Sequence, residues 1–181
     1  MRRFLDKLIG RRPAKFQPWR CPSCGQAHDD LPAAAVSAPR VWSDASERER
    51  SEVFELTTDT CIWKGEHFFI RGCLELPFTD RAGAFQFGVW TSLSRDNFNT
   101  YLETYDDPEP RRDMPPMFGW FSNSLPGYPE TLNLKCSIRP RIGGLRPLIE
   151  LEASDHPLSV QQRQGLHFGD AVAYTHQHLG L

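Results

Sequence analysis

The segment "TCIWKGEHFFIRGCLELPF", residues 60–78, constrains the fold more than any other part of the 181-residue chain. Aromatic and β-branched residues flank a turn at Lys64-Gly65, a pattern that predicts two strands joined in a hairpin. After the turn, apolar residues recur at every second position, so one face of the second strand is predicted to be buried. These residues are Phe68, Ile70, Leu74 and Leu76. The following stretch "AFQFGVWTSL" keeps the same period and predicts a further strand.

A second hairpin is predicted from "LNLKCSIRPRI" and "RPLIELEA", because apolar and polar residues alternate on both sides of Gly143-Gly144. Between the two hairpins, residues 106–116 are rich in proline and charge and are predicted to form a loop. The aromatic stretch "MFGWFSNSLPGYP" comes next and carries turn residues. We expect it to be exposed and irregular.

Helices are predicted after Ser46, which has Glu49 at capping-box spacing, after Ser94, and before Gly180. Hairpins with helices between and after them indicate the α+β class. The predicted fold is an antiparallel or mixed sheet of hairpins with packed helices and a small N-terminal corner like a zinc knuckle. A doubly wound parallel sheet is disfavoured because the turns are too short for helical crossovers and no glycine-rich phosphate loop follows a strand.

The first 19 residues differ in charge from the rest of the chain. Residues 1–20 hold seven basic side chains against Asp6 alone, whereas the whole chain has a formal net charge of -2. Apolar residues at helical spacing in this stretch predict a basic amphipathic extension over residues 1–19, followed by a single α+β domain over residues 20–181. Packing of this helix on its own domain or on a partner is favoured, and contact with a membrane surface or nucleic acid is the alternative.

The chain has no apolar run long enough for a membrane span or a secretory signal, so we expect a cytoplasmic protein. Its five cysteines are an odd number, which disfavours a disulfide framework in that compartment. The cysteines are therefore expected to be reduced thiols or metal ligands.

A metal site is predicted at the N-terminal end of the domain. Cys21 and Cys24 lie at the spacing that lets a tight turn direct two thiolates at one tetrahedral ion, and His28 can supply a third ligand. Cys61 is the favoured fourth ligand and His156 the next candidate. The prediction is a structural zinc site, with ordinary reduced thiols or a redox pair as alternatives.

Glu150, Glu152 and His156 form a second cluster, in "IELEASDHPL". Carboxylates near a histidine are suited to general acid–base chemistry or metal binding, so a metal-dependent hydrolase is the alternative function. The ordinary interpretation is that exposed strand glutamates face solvent and that the Asp-His-Pro turn caps the next helix. The ordinary interpretation is favoured.

Aromatic residues near Pro and Gly in "MFGWFSNSLPGYP" could form a recognition surface: Trp120, Phe121 and Tyr128. Burial of the same rings in the core is the competing expectation. No nucleophile elbow, phosphate loop or zinc-protease helix motif is present. The leading functional prediction is therefore a noncatalytic binding or regulatory protein with a protein partner, one form of which is an immunity or inhibitor protein.

Four stretches together resemble a family of bacterial proteins: "CPSCGQAHDDLP", "FFIRGCLELP", "FGVWTSLS" and "NLKCSIRPRIGGLRPLIELEASDHPLSVQQRQG". The resemblance is to the uncharacterised bacterial family known as domain of unknown function 2199, and it covers roughly residues 20–170. It implies a single domain and a bacterial cytosolic setting. It implies no catalytic residue, because the family has no established activity.

Overall fold

The computed structural model describes residues 19–20, 25–28 and 31–179. Its strands are β1 (Trp19–Arg20), β2 (Ala27–His28), β3 (Ala34–Ala35), β4 (Phe54–Leu56), β5 (Thr60–Trp63), β6 (His67–Pro77), β7 (Ala84–Leu93), β8 (Met117–Phe121), β9 (Lys135–Arg139) and β10 (Leu148–Leu151). Its helices are α1 (Arg40–Asp44), α2 (Glu47–Val53), α3 (Arg95–Glu103), α4 (Pro108–Arg112), α5 (Pro157–Gln164) and α6 (Phe168–Leu179). None of these described helices is long and apolar enough to cross a membrane.

The long hairpin of β6 and β7 is the framework of the sheet. The two strands pair antiparallel from Phe68 opposite Leu93 to Pro77 opposite Ala84. Because side chains alternate across a strand, Ile70 and Leu74 share one buried face, as the sequence predicts. The opposite face carries the buried Phe69 and Trp90 and the more polar Arg71, Glu75 and Gln86.

The strands close into a barrel, which the sequence does not predict. The order β7-β8-β9-β10-β6 returns to β7 through the β6–β7 pairing, giving five strands in a ring. Strands β5 and β4 extend the sheet beyond β6, and β3 pairs parallel with β7. The α+β class and the mixed pairing are confirmed. The expected arrangement of open hairpins is wrong, because the second hairpin turns back and pairs with the first.

Closure occurs through the parallel pairing of β10 with β6. Among the described residues this pairing consists of the single register pair Leu148 opposite Cys73. Beyond this register pair, the side-chain amide of Gln162 in α5 makes two hydrogen bonds to the backbone of β10, as a neighbouring strand would. Its Nε2 donates to the carbonyl of Ile149 at 2.7 Å, and its Oε1 accepts from the N–H of Leu151 at 2.7 Å.

The barrel interior is filled by inward-facing side chains from all five strands. Buried members from β8, β9 and β10 are Met117, Phe121, Cys136, Ile138, Ile149 and Leu151. Helix α3 packs Phe98 against Phe68 with ring centroids 5.1 Å apart, and α6 packs Tyr174 against Phe85 with centroids 5.7 Å apart. The helices therefore extend the same core beyond the strands.

A smaller apolar cluster covers the outer face of the long hairpin. Cys61, Phe69 and Trp90 are buried together, and Phe54 and Trp63 pack against them. The indole N–H of Trp90 donates to the carbonyl of Val36 at 3.1 Å, which ties the segment before α1 to β7. Both faces of the hairpin are thus covered near its middle.

Several local predictions are confirmed. Ser46 and Glu49 form the capping box at the start of α2, and Ser94 caps α3. Two local predictions are wrong. Met117–Phe121 is the barrel strand β8 and not an irregular loop, and the predicted loop over 106–116 contains the short helix α4.

We expect Gly72→Ala to lower the free energy of unfolding by about 1–3 kcal/mol, because an added Cβ would overpack the barrel. A Cβ built at Gly72 lies 2.5 Å from Cδ1 of Ile149 and 3.0 Å from the carbonyl oxygen of Pro147. Urea unfolding followed by circular dichroism measures the loss.

Gly169→Ala is the matched control for this substitution. A Cβ at Gly169 in α6 meets nothing within 4 Å, so alanine there should leave stability unchanged or raise it by up to about 1 kcal/mol. Equal changes in the free energy of unfolding for the two substitutions would show that Ile149 of β10 does not pack closely against Gly72 of β6.

Candidate functional site

Two aromatic side chains project from the outer face of β8. Phe118 is 52% exposed and Trp120 is 40% exposed, and their rings pack edge to face with centroids 5.2 Å apart. They point outward because Met117, Gly119 and Phe121, the alternate residues of the strand, face the barrel interior. With Lys135 and Glu152 beside them, they form a surface that we call the Trp120 face.

Cavities lie on both sides of Trp120. One has a volume of about 470 Å³, and its lining residues are Ser92, Leu93, Ser94, Asn97, Phe118, Gly119 and Trp120. The other has a volume of about 270 Å³, and its lining residues are Trp120, Asn133, Leu134, Lys135, Leu151, Glu152, Ser154 and Ser159. The indole therefore projects between two depressions, and a partner with a complementary surface can contact it on both sides.

Ion pairs border the aromatic side chains. Lys135 lies opposite Trp120 in the register of β8 and β9, and its Nζ is 3.9 Å from Oε2 of Glu152. On the neighbouring positions, Nε of Arg139 is 2.6 Å from Oε2 of Glu150. These side chains are about half exposed, so the pairs contribute little to stability. They place charge of both signs along the β9 and β10 side of the aromatic patch.

The three aromatic residues predicted to contact a partner do not lie together on one surface. Phe121 is 0% exposed inside the barrel, so the expectation that it is available to a partner is wrong. Tyr128 is partly buried, its hydroxyl donates to Oε1 of Gln161 at 2.6 Å, and burial raises its pKa to about 12. Phe118 was not among the predicted residues, although its position two residues before Trp120 places it on the same face of a strand.

Glu150, Glu152 and His156 are not gathered into one cavity. Glu150 lines a cavity of about 470 Å³ with Glu75 and Gln162, whereas Glu152 lines the smaller cavity beside Trp120. His156 is the N-cap of α5, and its Nδ1 accepts from the N–H of Leu158 at 3.2 Å. The favoured interpretation of the Asp-His-Pro turn is thus confirmed.

No group of three or more His, Cys, Asp and Glu side chains within the described ranges is placed to hold a metal ion. Cys21 and Cys24 lie outside those ranges, and His28 lies in β2 opposite Trp19. Cys61 is fully buried in the outer apolar cluster, where burial raises its pKa to about 12. Zinc binds the thiolate, so these surroundings disfavour Cys61 as a ligand. The zinc site at residues 21–28 stays a prediction.

A family model described as uncharacterised proteins conserved in bacteria, domain of unknown function 2199, matches residues 20–166. The chain belongs to this family. No curated protein and no solved structure matches the chain significantly.

The match to domain of unknown function 2199 covers the barrel strands and α5, and therefore includes the whole Trp120 face. It ends before α6, which begins at Phe168. It also begins after the basic residues 1–19, as the sequence resemblance implies. Features built on α6 are therefore not described by the family model.

We expect Trp120→Ala and Phe121→Ala to differ sharply in their effect on stability, although the residues are adjacent. Trp120 is exposed, so its replacement by alanine should lower the free energy of unfolding by about 1 kcal/mol or less. Phe121 is buried in the barrel, so its truncation should cost about 3–5 kcal/mol. Chemical denaturation of both variants makes the comparison, and similar losses would contradict the assigned faces of β8.

Proposed function

We propose that this member of the family is a noncatalytic binding protein that contacts a protein partner through the Trp120 face. The observation that supports the proposal is the pair of large aromatic side chains left in solvent on an otherwise well-packed barrel strand. Contiguous exposed apolar surface bordered by polar residues is typical of a protein interaction site.

The composition of the face favours a protein over a small molecule. Tryptophan and other aromatic residues dominate binding energy at protein interfaces, and they lie at the centre with polar residues at the rim. Phe118 and Trp120 stand at the centre here, and Lys135 with Glu152 stands at the rim. The immunity or inhibitor role predicted from the sequence has no support from a particular residue of the face, so the proposal is limited to partner binding.

Site-specific photocrosslinking in the native cell tests this proposal. With a photoreactive side chain in Phe118→p-benzoylphenylalanine, we expect a discrete protein adduct, because a partner on the face lies within reach of that side chain. Leu145→p-benzoylphenylalanine is the matched control, since Leu145 is 53% exposed and lines neither cavity beside Trp120. It should give no such adduct.

Competition distinguishes a specific partner from random collision. Excess wild-type protein should suppress the adduct formed at position 118, whereas excess Trp120→Ala protein should suppress it weakly, because loss of a central tryptophan typically costs about 2 kcal/mol or more of binding. Identical adducts at positions 118 and 145, or equal competition by both proteins, would contradict partner binding through this face.

We also propose that Cys21, Cys24 and His28 hold a structural zinc ion, with the fourth ligand drawn from elsewhere. The spacing of the cysteines supports this, as does the antiparallel pairing of β1 with β2. Arg20 pairs with Ala27 and Trp19 pairs with His28, so both ends of the segment that contains the cysteines lie side by side. A hairpin of this kind is the usual setting of a zinc knuckle.

Metal content measured by plasma mass spectrometry on protein purified without added metal tests the zinc proposal. We expect zinc in the wild type and its loss in Cys21→Ser and His28→Ala, because each change removes a ligand. Cys73→Ser is the thiol control, and it should retain zinc, as should Cys61→Ala. Zinc lost with Cys61→Ala but retained with Cys73→Ser would identify Cys61 as the fourth ligand, and no zinc in the wild type would refute the site.

A further inference from the structure

A cavity of about 390 Å³ lies between α6, α5 and the turn at Gly127, away from the Trp120 face. Phe85 and Leu166, both from the buried core, contribute to its lining. The more exposed lining residues are Gly127, Tyr128, Pro129, Pro157, Gln161, Asp170, Ala173, Tyr174, Gln177 and His178. The volume falls within the range of small-molecule sites, which is roughly 300–1,000 Å³.

Aromatic rings at several inclinations surround Tyr174. Its ring centroid is 6.0 Å from that of Tyr128, with the planes at 45°, and 4.7 Å from that of His178, with the planes at 50°. Phe85 packs edge to face against it at 5.7 Å. Tyr128, Tyr174 and His178 all line the cavity, so more than one aromatic ring is within reach of a group held there.

Besides the two tyrosines, the titratable side chains of the described lining are one carboxylic acid, Asp170, and one imidazole, His178. Asp170 contributes a carboxylate, and the described lining residues include no lysine and no arginine. Within the described part of the chain, the backbone N–H of Asp170 donates to the carbonyl of His167, and its side chain has no hydrogen bond or ion pair. Asp170 lies in the first turn of α6, where a carboxylate also offsets the helix dipole. It is nevertheless free to face a cation.

We propose that this cavity binds a small organic cation of the quaternary ammonium class. The negative faces of aromatic rings attract such cations, and a quaternary nitrogen has no N–H that would need a hydrogen-bond acceptor. A carboxylate at the rim adds long-range attraction and repels anions. An apolar neutral ligand would gain from the rings but not from Asp170, and this difference makes the proposal testable.

The hydroxyl groups of Tyr128 and Tyr174 do not add negative charge to the cavity. Burial raises the pKa of Tyr174, and Tyr128 adds to that rise. Both tyrosines are therefore neutral at physiological pH, and Asp170 is the anionic group among the described lining residues. The ligand charge that the cavity can balance is thus a single positive one.

Nuclear magnetic resonance titration of the full chain tests the proposal with choline as the probe. The neutral isostere 3,3-dimethylbutan-1-ol, which has carbon in place of the nitrogen, is the matched ligand. We expect saturable shifts of the Tyr128 and Tyr174 ring signals with choline and weaker binding of the isostere. Glycine betaine should also bind more weakly than choline, because its carboxylate is repelled by Asp170.

Variants distinguish choline binding in the cavity from a general effect of the protein's charge on choline. Asp170→Asn should raise the choline Kd about two- to fivefold, and Asp96→Asn should leave it unchanged. Asp96 is the matched control because it also lies in the first turn of a helix, α3, and does not line the cavity. Ala173 is exposed and lines the cavity, so Ala173→Lys should abolish binding without disturbing the core.

Three results would overturn the proposal. The first is no saturable shift of the tyrosine rings with choline. The second is equal affinity for choline and its neutral isostere, which would leave an ordinary apolar pocket. The third is an unchanged Kd in Asp170→Asn while all variants retain the wild-type spectrum. None of these results bears on partner binding through the Trp120 face, because the two sites share no lining residue.

Discussion

A meander of five strands can close on itself only through a parallel pair, because its first and fifth strands run in the same direction. In this protein those strands are β6 and β10, and their ladder is limited to Leu148 and Cys73 among the described residues. Other contacts add to this pairing, among them the hydrogen bond from the N–H of Cys73 to the carbonyl of Pro147 at 2.8 Å. Ile149 fills the space left by Gly72, and Nε of Arg146 is 2.5 Å from Oδ1 of Asp59, which links the approach to β10 with the turn before β5.

Closure also determines what kind of recognition the barrel can support. Strand β8 pairs with β9 from Met117 to Trp120 and with β7 at Trp120 and Phe121, so much of its backbone is already paired within the ring. A partner can contact its exposed side chains, Phe118 and Trp120. The cavity beneath α6 is of a different kind, because it is lined by a helix that lies beyond the segment matched by the family model. The proposed partner surface lies wholly within the matched segment, whereas the proposed cation site takes Asp170, Ala173 and Tyr174 from beyond it.

Local patterns in the sequence predict local structure well and the ring poorly. The alternation of Phe68, Ile70, Leu74 and Leu76 and the capping box of Ser46 and Glu49 depend on neighbours in the chain, and both are confirmed. Pairing of β10 with β6 depends on residues far apart in sequence, for which periodicity carries no information. β8 is an intermediate case: its alternation is visible in Met117, Gly119 and Phe121, but the Pro and Gly residues that follow suggest a loop. The same alternation would have placed Phe118 beside Trp120 and removed Phe121 from the surface.

The hydrogen bonds of Gln162 affect whether β10 can pair with a strand of another molecule. An unpaired strand edge is a template on which a second molecule can add a strand, and β10 passes beyond the reach of β6 after its one pairing. The amide of Gln162 occupies the donor and acceptor that β10 would otherwise present there. A helix side chain thereby keeps this part of the β10 edge from pairing with a strand of a second molecule.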